Sequence, residues 1–314
     1  MNSGNPLTFK PLPVKRIWGG RRLNSYGKVI PYGVSVGELW AVVDRREAQS
    51  IVCCGLLKGK TLNALWEGYR EEVFGEHLVN SPSPRFPILC KLLDVRECLS
   101  VQVHPPERVA NALSGEPKSE VWYFLDTAPG AKIYAGLKKG TSKRSFKALL
   151  ASGRIEEALH KLPVETGDSL FIPSGRLHAI GEGSVIVEIQ QNSDTTFRLH
   201  DWDRLGFDGL PRRLHVQESL ASIDFLDFEP RLQPPGQAVI ASCPFFRVDF
   251  LEIARPTQAH CEKKFSIYVV VRGCISCGGS SFTTGQFFFV PAQAFEISIF
   301  PLDGKSCVLK TTLP

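Results

Sequence analysis

The sequence predicts a mainly β protein: a larger β unit interrupted by short helices, then a smaller C-terminal β-barrel or sandwich. Three observations carry this. Gly and Pro number 27 and 22 among 314 residues, above an ordinary combined share of about 12%. The apolar segments are short and rich in Val, Ile and Phe, as strands between turns are. The length exceeds one domain of about 100–150 residues, so two cores or one large elaborated core are expected. With 43% hydrophobic residues and a net charge of +5, disorder is excluded. A helical bundle or coiled coil fits poorly.

Taken in order, the first hundred residues mix strands with one helix. Thr61 is placed to cap it, and Leu62, Leu65, Trp66, Tyr69 and Val73 recur at helical spacing. This gives a helical insertion over about 61–78. From 86 to 104 the period changes: Ile88, Leu92, Leu99, Val101 and Val103 lie in strand-like surroundings that end at Pro105-Pro106. Residues 107–114 read as a short helix stopped by Gly115. Val121–Leu125 reads as a strand from its β-branched and aromatic content. Residues 142–162 carry two helical stripes, Phe146/Leu149/Leu150 and Ile155/Ala158/Leu159/Leu162, broken at Ser152-Gly153. Strands return at Ser169–Ile172 and Val185–Gln190.

A Pro-rich, turn-forming stretch over 226–240 marks a boundary. It divides a unit of 1–228 from a unit of 240–314. The tail offers strands at Phe246–Ile253, Ile267–Val271, Phe287–Val290 and Phe295–Phe300, and no helix.

The mild basic excess suits an anionic small molecule. The densest basic stretch, Lys138 to Lys147, lacks the interleaved aromatics of a nucleic-acid surface, so no nucleic-acid partner is expected. No apolar run reaches the ~20 residues of a membrane span, and the N-terminus lacks the layout of a secretory signal. Nine cysteines without a framework suit a reducing, cytoplasmic setting. Cys274-Ile275-Ser276-Cys277 is a lone pair with no matching second pair.

Four segments carry candidate chemistry. In Leu99–Pro105, strand alternation turns Gln102 and His104 to one face and Val101 and Val103 to the other. In Gly115–Leu125, Lys118 and Glu120 share a face at the start of a strand. In Thr166–Ile180, a turn, an apolar strand, a Pro-x-Gly turn and His178 follow the layout of a cupin (jelly-roll) barrel strand pair. In Val187–Arg204, Glu188 and Gln190 alternate on one face, and Arg198 follows in a second strand. Gln102, His104, Glu120 and His178 form an N/O donor set suited to zinc or another divalent ion rather than to a thiolate site.

These segments in this order resemble type I mannose-6-phosphate isomerase in its shorter bacterial form. The stretches are FPILCKLLDVRECLSVQVHP, GEPKSEVWYFL, GDSLFIPSGRLHAIGEGSVIVEIQQNSDTTFRLHDWDR and GLPRRLHVQESLASID, with IWGG near residue 18 and VGELW at 36–40. The resemblance implies a cupin barrel with helical insertions and a smaller cupin-like second domain. It implies one Zn(2+) per chain on Gln102, His104, Glu120 and His178. It implies Arg198 as a catalytic residue, Lys118 in the substrate pocket, and Trp18, Glu38 and Glu188 lining it. The implied reaction interconverts mannose 6-phosphate and fructose 6-phosphate through an enediol-type intermediate. The chain departs from the family pattern at Thr196-Phe197, at His200 and at Pro117–Ser119, none of them a proposed ligand. The base stays open among Glu188, Lys118, His104 and a metal-bound water. Two rivals stand: a cupin metal-dependent oxygenase, which the fourth protein ligand disfavours, and a non-catalytic sugar-phosphate-binding protein. A monomer or weak homo-oligomer is expected.

Overall fold

The computed structural model describes residues 5–27, 30–259, 263–294 and 297–314. Its frame is four antiparallel sheets. The first runs in the order Leu12–Val14, Glu38–Val42, Ile88–Val95, Ser184–Gln191, Glu120–Thr127, Ser169–Ile172. The second runs Phe197–His200, Val101–Val103, His178–Ile180, Lys132–Leu137, Leu159–Pro163. The tail supplies the other two. One runs Val239–Ser242, Arg247–Ile253, Ser306–Thr312, Ser266–Arg272, Phe287–Val290, and the other Thr257–Gln258, Ser298–Pro301, Cys274–Cys277, Ser280–Thr283.

Alternation along the central strands sets the layers. In Glu120–Thr127, Val121, Tyr123 and Leu125 join one core, while Trp122 and Phe124 join another. In Ser184–Gln191, Val185, Val187 and Ile189 face the first core and Ile186 the second. The second core lies between the six-stranded sheet and the sheet holding Ile133, Ala135 and Ile180. The first core lies between the back of the six-stranded sheet and the tail strands bearing Val248, Ile267, Val269, Phe289 and Leu309. The six-stranded sheet is therefore covered on both faces, and all eight residues of Ile88–Val95 are buried.

The helices cover the edges of this stack. Thr61 accepts from Ala64 N at 3.0 Å and caps Leu62–Gly68. The helical path then continues as short turns to Leu78. Ser142 caps Lys143–Ala151 in a capping box with Ser145. That helix and Val216–Ser222 lie on the outer face of the second sheet, where Phe146 and Ile223 meet Val101, Leu137 and Leu199.

The second helix expected before residue 162 does not form. Ile155–Ala158 is a single 3-10 turn, and Leu159–Pro163 is an edge strand paired with Lys132–Leu137. Leu159 and Leu162 meet the helical spacing but also fall on opposite parities of a strand. Pairing with a neighbouring strand outweighed a stripe broken by Gly153. The Lys132–Leu137 strand and the Val216–Ser222 helix were not anticipated. In the tail, Ser298–Pro301 overlaps the expected Phe295–Phe300 strand and runs one residue past it, and residues 295 and 296 lie outside the described residues.

A candidate metal centre beside a cationic cavity

The metal candidates sit where strands begin or end. Glu120 and His178 each open a strand, and His104 follows Val101–Val103 by one residue. His178 pairs in register with Gln102, and Gln190 pairs with Glu120. Gly175 holds φ +96°, which a side chain would strain, and its N–H donates to the His104 carbonyl at 2.8 Å. The Pro173–Gly175 turn thus swings the chain so that His178 faces His104.

His104, Glu120 and His178 have ligand atoms within 4.8 Å of one another, and all three are buried. His104 Nε2 lies 3.5 Å from Glu120 Oε2, and His178 Nε2 lies 3.7 Å from Glu120 Oε1. The opposite ring nitrogens are taken by backbone. His104 Nδ1 donates to Thr195 O at 2.8 Å and His178 Nδ1 to Arg176 O at 2.9 Å. With the proton on Nδ1, each Nε2 keeps a lone pair toward the carboxylate, that of His104 also facing Lys118 Nζ at 3.3 Å; backbone carbonyls orient metal-bound histidines in this way. Burial, followed by the neighbouring His104, pushes His178 down to about 3, so its ring is neutral. Burial also lowers His104, with Lys118 adding to it.

Burial alone would raise the Glu120 carboxyl, but Lys118 and the two imidazoles hold it well below its ordinary value. Neither Glu120 oxygen has a hydrogen-bonding partner among the described residues. Lys118 Nζ stands 2.7 Å from Oε2, close enough for ion pairing but outside hydrogen-bond angles. Buried carboxylate oxygens facing two imidazole lone pairs repel unless a cation or proton lies between them. Two imidazoles and a carboxylate fit a divalent ion. Gln102 stands beside this group: its amide lies 3.3 Å from His178 Nε2, with Ser100 Oγ 3.0 Å from its Oε1. Turning the amide over presents its oxygen to the same point, and the Ser100 hydroxyl can serve either end.

Next to this group opens a cavity of about 230 Å³. Trp18, Glu38, Gln102, Lys118, Glu188 and Arg198 all line it, so the expected pocket residues converge. Arg16, Lys91, Asp194 and Arg212 line it as well and were not anticipated. Five cations face three carboxylates there, a net positive wall. On its floor, charges alternate from strand to strand. Arg16 Nε donates to Glu38 Oε1 at 2.7 Å, Lys91 Nζ lies 3.7 Å from Glu38 and 3.2 Å from Glu188, and Lys118 Nζ lies 3.9 Å from Glu188. Both Glu38 oxygens are engaged, Oε2 by the Trp40 indole N–H at 2.7 Å. Glu38 therefore orders Arg16 and Lys91 as much as it faces the cavity. Glu188 Oε2 accepts from the Trp122 indole at 3.2 Å, and its Oε1 has no hydrogen bond among the described residues.

Arg198 pairs across from Gln102 and donates through Nη1 to Arg213 O at 2.8 Å. Its Nε has no partner among the described residues. Burial, then the nearby Arg212, lowers its guanidinium below the ordinary value. Arg212 is itself held by Asp201 at 2.6 Å. Two guanidiniums beside the cavity make an anion-receiving wall.

The family model "Phosphomannose isomerase type I, catalytic domain" matches residues 9–126. Mannose-6-phosphate isomerase ManA of Bacillus subtilis (strain 168) is 36% identical over 277 residues, spanning 85% of this chain and 86% of that protein. The chain belongs to the type I mannose-6-phosphate isomerase family. A crystal structure of the Bacillus subtilis mannose 6-phosphate isomerase superposes with a TM-score of 0.86 at 31% identity, covering 98% of this chain and 100% of that one. A mannose 6-phosphate isomerase structure bound with zinc and yttrium has the same fold, at a TM-score of 0.74 and 16% identity. The mannose-6-phosphate isomerase fold thus accounts for all four sheets, the tail included. Among the described residues, no helix is long and apolar enough to cross a membrane.

Proposed function

We propose that this chain is a metal-dependent aldose–ketose isomerase that interconverts mannose 6-phosphate and fructose 6-phosphate. The observation that carries the reading is the buried His104–Glu120–His178 group beside a net-cationic cavity of about 230 Å³, with Gln102 and Lys118 contacting the group and lining the cavity. In this reading Gln102, His104, Glu120 and His178 hold one zinc ion per chain. When bound, the metal supplies Lewis-acid polarisation of the sugar oxygens at the reacting carbons.

The remaining roles belong to side chains. Isomerisation moves a proton between C2 and C1 while negative charge develops on the enediol oxygens. Arg198 is placed to stabilise that charge. Glu188 has one oxygen anchored by Trp122 and the other free of hydrogen bonds, so it is placed to take the carbon-bound proton and return it. Lys118 and Lys91 flank that carboxylate and keep a sugar hydroxyl within reach of a donor. The phosphate dianion is drawn to Arg198 and Arg212. The chemistry lies within residues 1–228, with 240–314 as a supporting β domain. The chain acts as a monomer or weak homo-oligomer, and the setting is cytoplasmic.

A coupled assay with mannose 6-phosphate tests this reading. Chelation should abolish turnover and zinc should restore it, and His178→Ala should lose bound metal. Arg198→Ala should lower kcat by about 10²–10³ with the fold intact. Full activity in a metal-free preparation would overturn the metal role. A variant within twofold of wild type would remove Arg198 from the mechanism.

A further inference from the structure

All three buried ligand candidates stand at strand ends: Glu120 is paired with Ile172 and Gln190, and His178 with Gln102 and Ala135, but the chain just before each of them, and His104 itself, lies outside the ladder. His104 lies just past its strand, while Glu120 and His178 are the first residues of theirs. The end of the Ser184–Gln191 strand and the turn after it tie these flanking segments together. Gln191 Oε1 accepts from Ser119 N at 2.8 Å, and Gln191 N donates to Ser119 O at 3.0 Å. Ser119 stands between Lys118 and Glu120, and its Oγ accepts from Ser174 N at 3.2 Å, in the turn that leads to His178. Ser193 Oγ donates to Glu116 O at 3.1 Å and accepts from Thr195 N at 3.2 Å. The Thr195 hydroxyl accepts from Glu116 N at 3.0 Å, and the Thr195 carbonyl is the one that takes His104 Nδ1–H.

We propose that Gln191 and Ser193 are positioning residues for the metal set: they tie the Glu116–Glu120 segment to the Thr195 carbonyl, so that the Glu120 carboxylate and His104 Nε2 converge on one point. The proposal rests on the metal reading above. Neither side chain is among those lining the cavity. Each acts through backbone groups of residues that are, or that orient, the ligands. Removing such an outer partner typically costs 10–100-fold in metal affinity.

The test uses the zinc-loaded enzyme and follows zinc release to a chromogenic chelator, with urea unfolding of the metal-free protein alongside. Gln191→Met keeps the size and removes the acceptor, Gln191→Glu keeps an acceptor oxygen, and Ser193→Ala removes the hydroxyl. Zinc release should speed at least tenfold in Gln191→Met and in Ser193→Ala, and return to within threefold of wild type in Gln191→Glu. The metal-free unfolding midpoints should stay near wild type. Release within twofold of wild type in folded Gln191→Met and Ser193→Ala overturns the proposal. So does faster release matched by an equally large loss of metal-free stability, since that marks a general structural role. Wild-type protein that holds no zinc would instead overturn the metal reading itself, so the two failures are distinct.

Discussion

An ammonium buried between two carboxylates is held only while both carboxylates stay ionised, and Lys91 sits in that position between Glu38 and Glu188. Burial opposes ionisation of Glu38, yet Lys91 and Arg16 lower it to about 2 from an ordinary 4.5. A carboxyl lowered in the folded state adds stability that is fully present above the unfolded value. That stability is lost as pH falls from about 4.5 toward about 2. The contribution is about 3 kcal/mol. Glu38→Gln should be less stable at neutral pH, and its urea-unfolding free energy should fall less steeply below pH 5 than that of wild type. Parallel curves would show that Glu38 does not titrate with folding. Alternation made Gln102 with His104, Lys118 with Glu120, and Glu188 with Gln190 legible as polar faces of three separate strands, and the family resemblance brought those faces together. Lys91 carried an equally plain signal, a lone lysine inside the apolar run Ile88–Val95. Arg16 and Arg212 carried none, because long side chains reach the cavity from loops with no period to read.

Elements were legible where one period ran without competition. The Leu62–Gly68 helix, with its cap and stripe, formed as expected. The 155–162 stretch kept the helical spacing, and only pairing with the Lys132–Leu137 strand overrode it from Leu159 on. That partner lies at the other end of a long connection, which local reading cannot see. The opening motifs work at this scale too. Gly19 and Gly37 bring two loops into backbone contact: a Cβ on Gly37 would lie 2.5 Å from Arg16 Cβ and 2.8 Å from Trp18 Cζ3. Gly37→Ala should therefore push the Arg16–Trp18 wall off the cavity. We expect kcat/KM for mannose 6-phosphate to fall by about 10- to 100-fold with the metal still bound. Wild-type kinetics would mean that this wall yields without consequence.

At the scale of the whole molecule, the tail is fastened to the front unit by an aromatic cluster. Phe289 stacks on Phe265 with ring centroids 5.1 Å apart and meets Phe74 edge-on at 5.6 Å, while the Leu7 backbone pairs with Phe289 itself. Phe289→Ala should cost about 3–5 kcal/mol in urea unfolding. It should leave kcat/KM of the folded protein near wild type, because this cluster lies behind the metal-site sheet. A large loss of turnover at full stability would mean that the seam governs the cavity directly. The tail's β content was plain from its composition, but its covering of the six-stranded sheet was not. The sign that it does so is that Ile88–Val95 is apolar at both parities.

The two faces of that sheet have a joint consequence for errors in assembly. Val121, Val187 and Leu92 point to the aromatic seam, while Glu188 and Lys91 point to the cavity and Glu120 to the histidines beside it. A slip of one residue in any of these three strands exchanges that strand's two faces. It would drive charges into the seam and leave valines where the ligands belong. Mispaired chains therefore cannot gather into a folded but inactive pool: the contacts that would make them stable are lost together with the site.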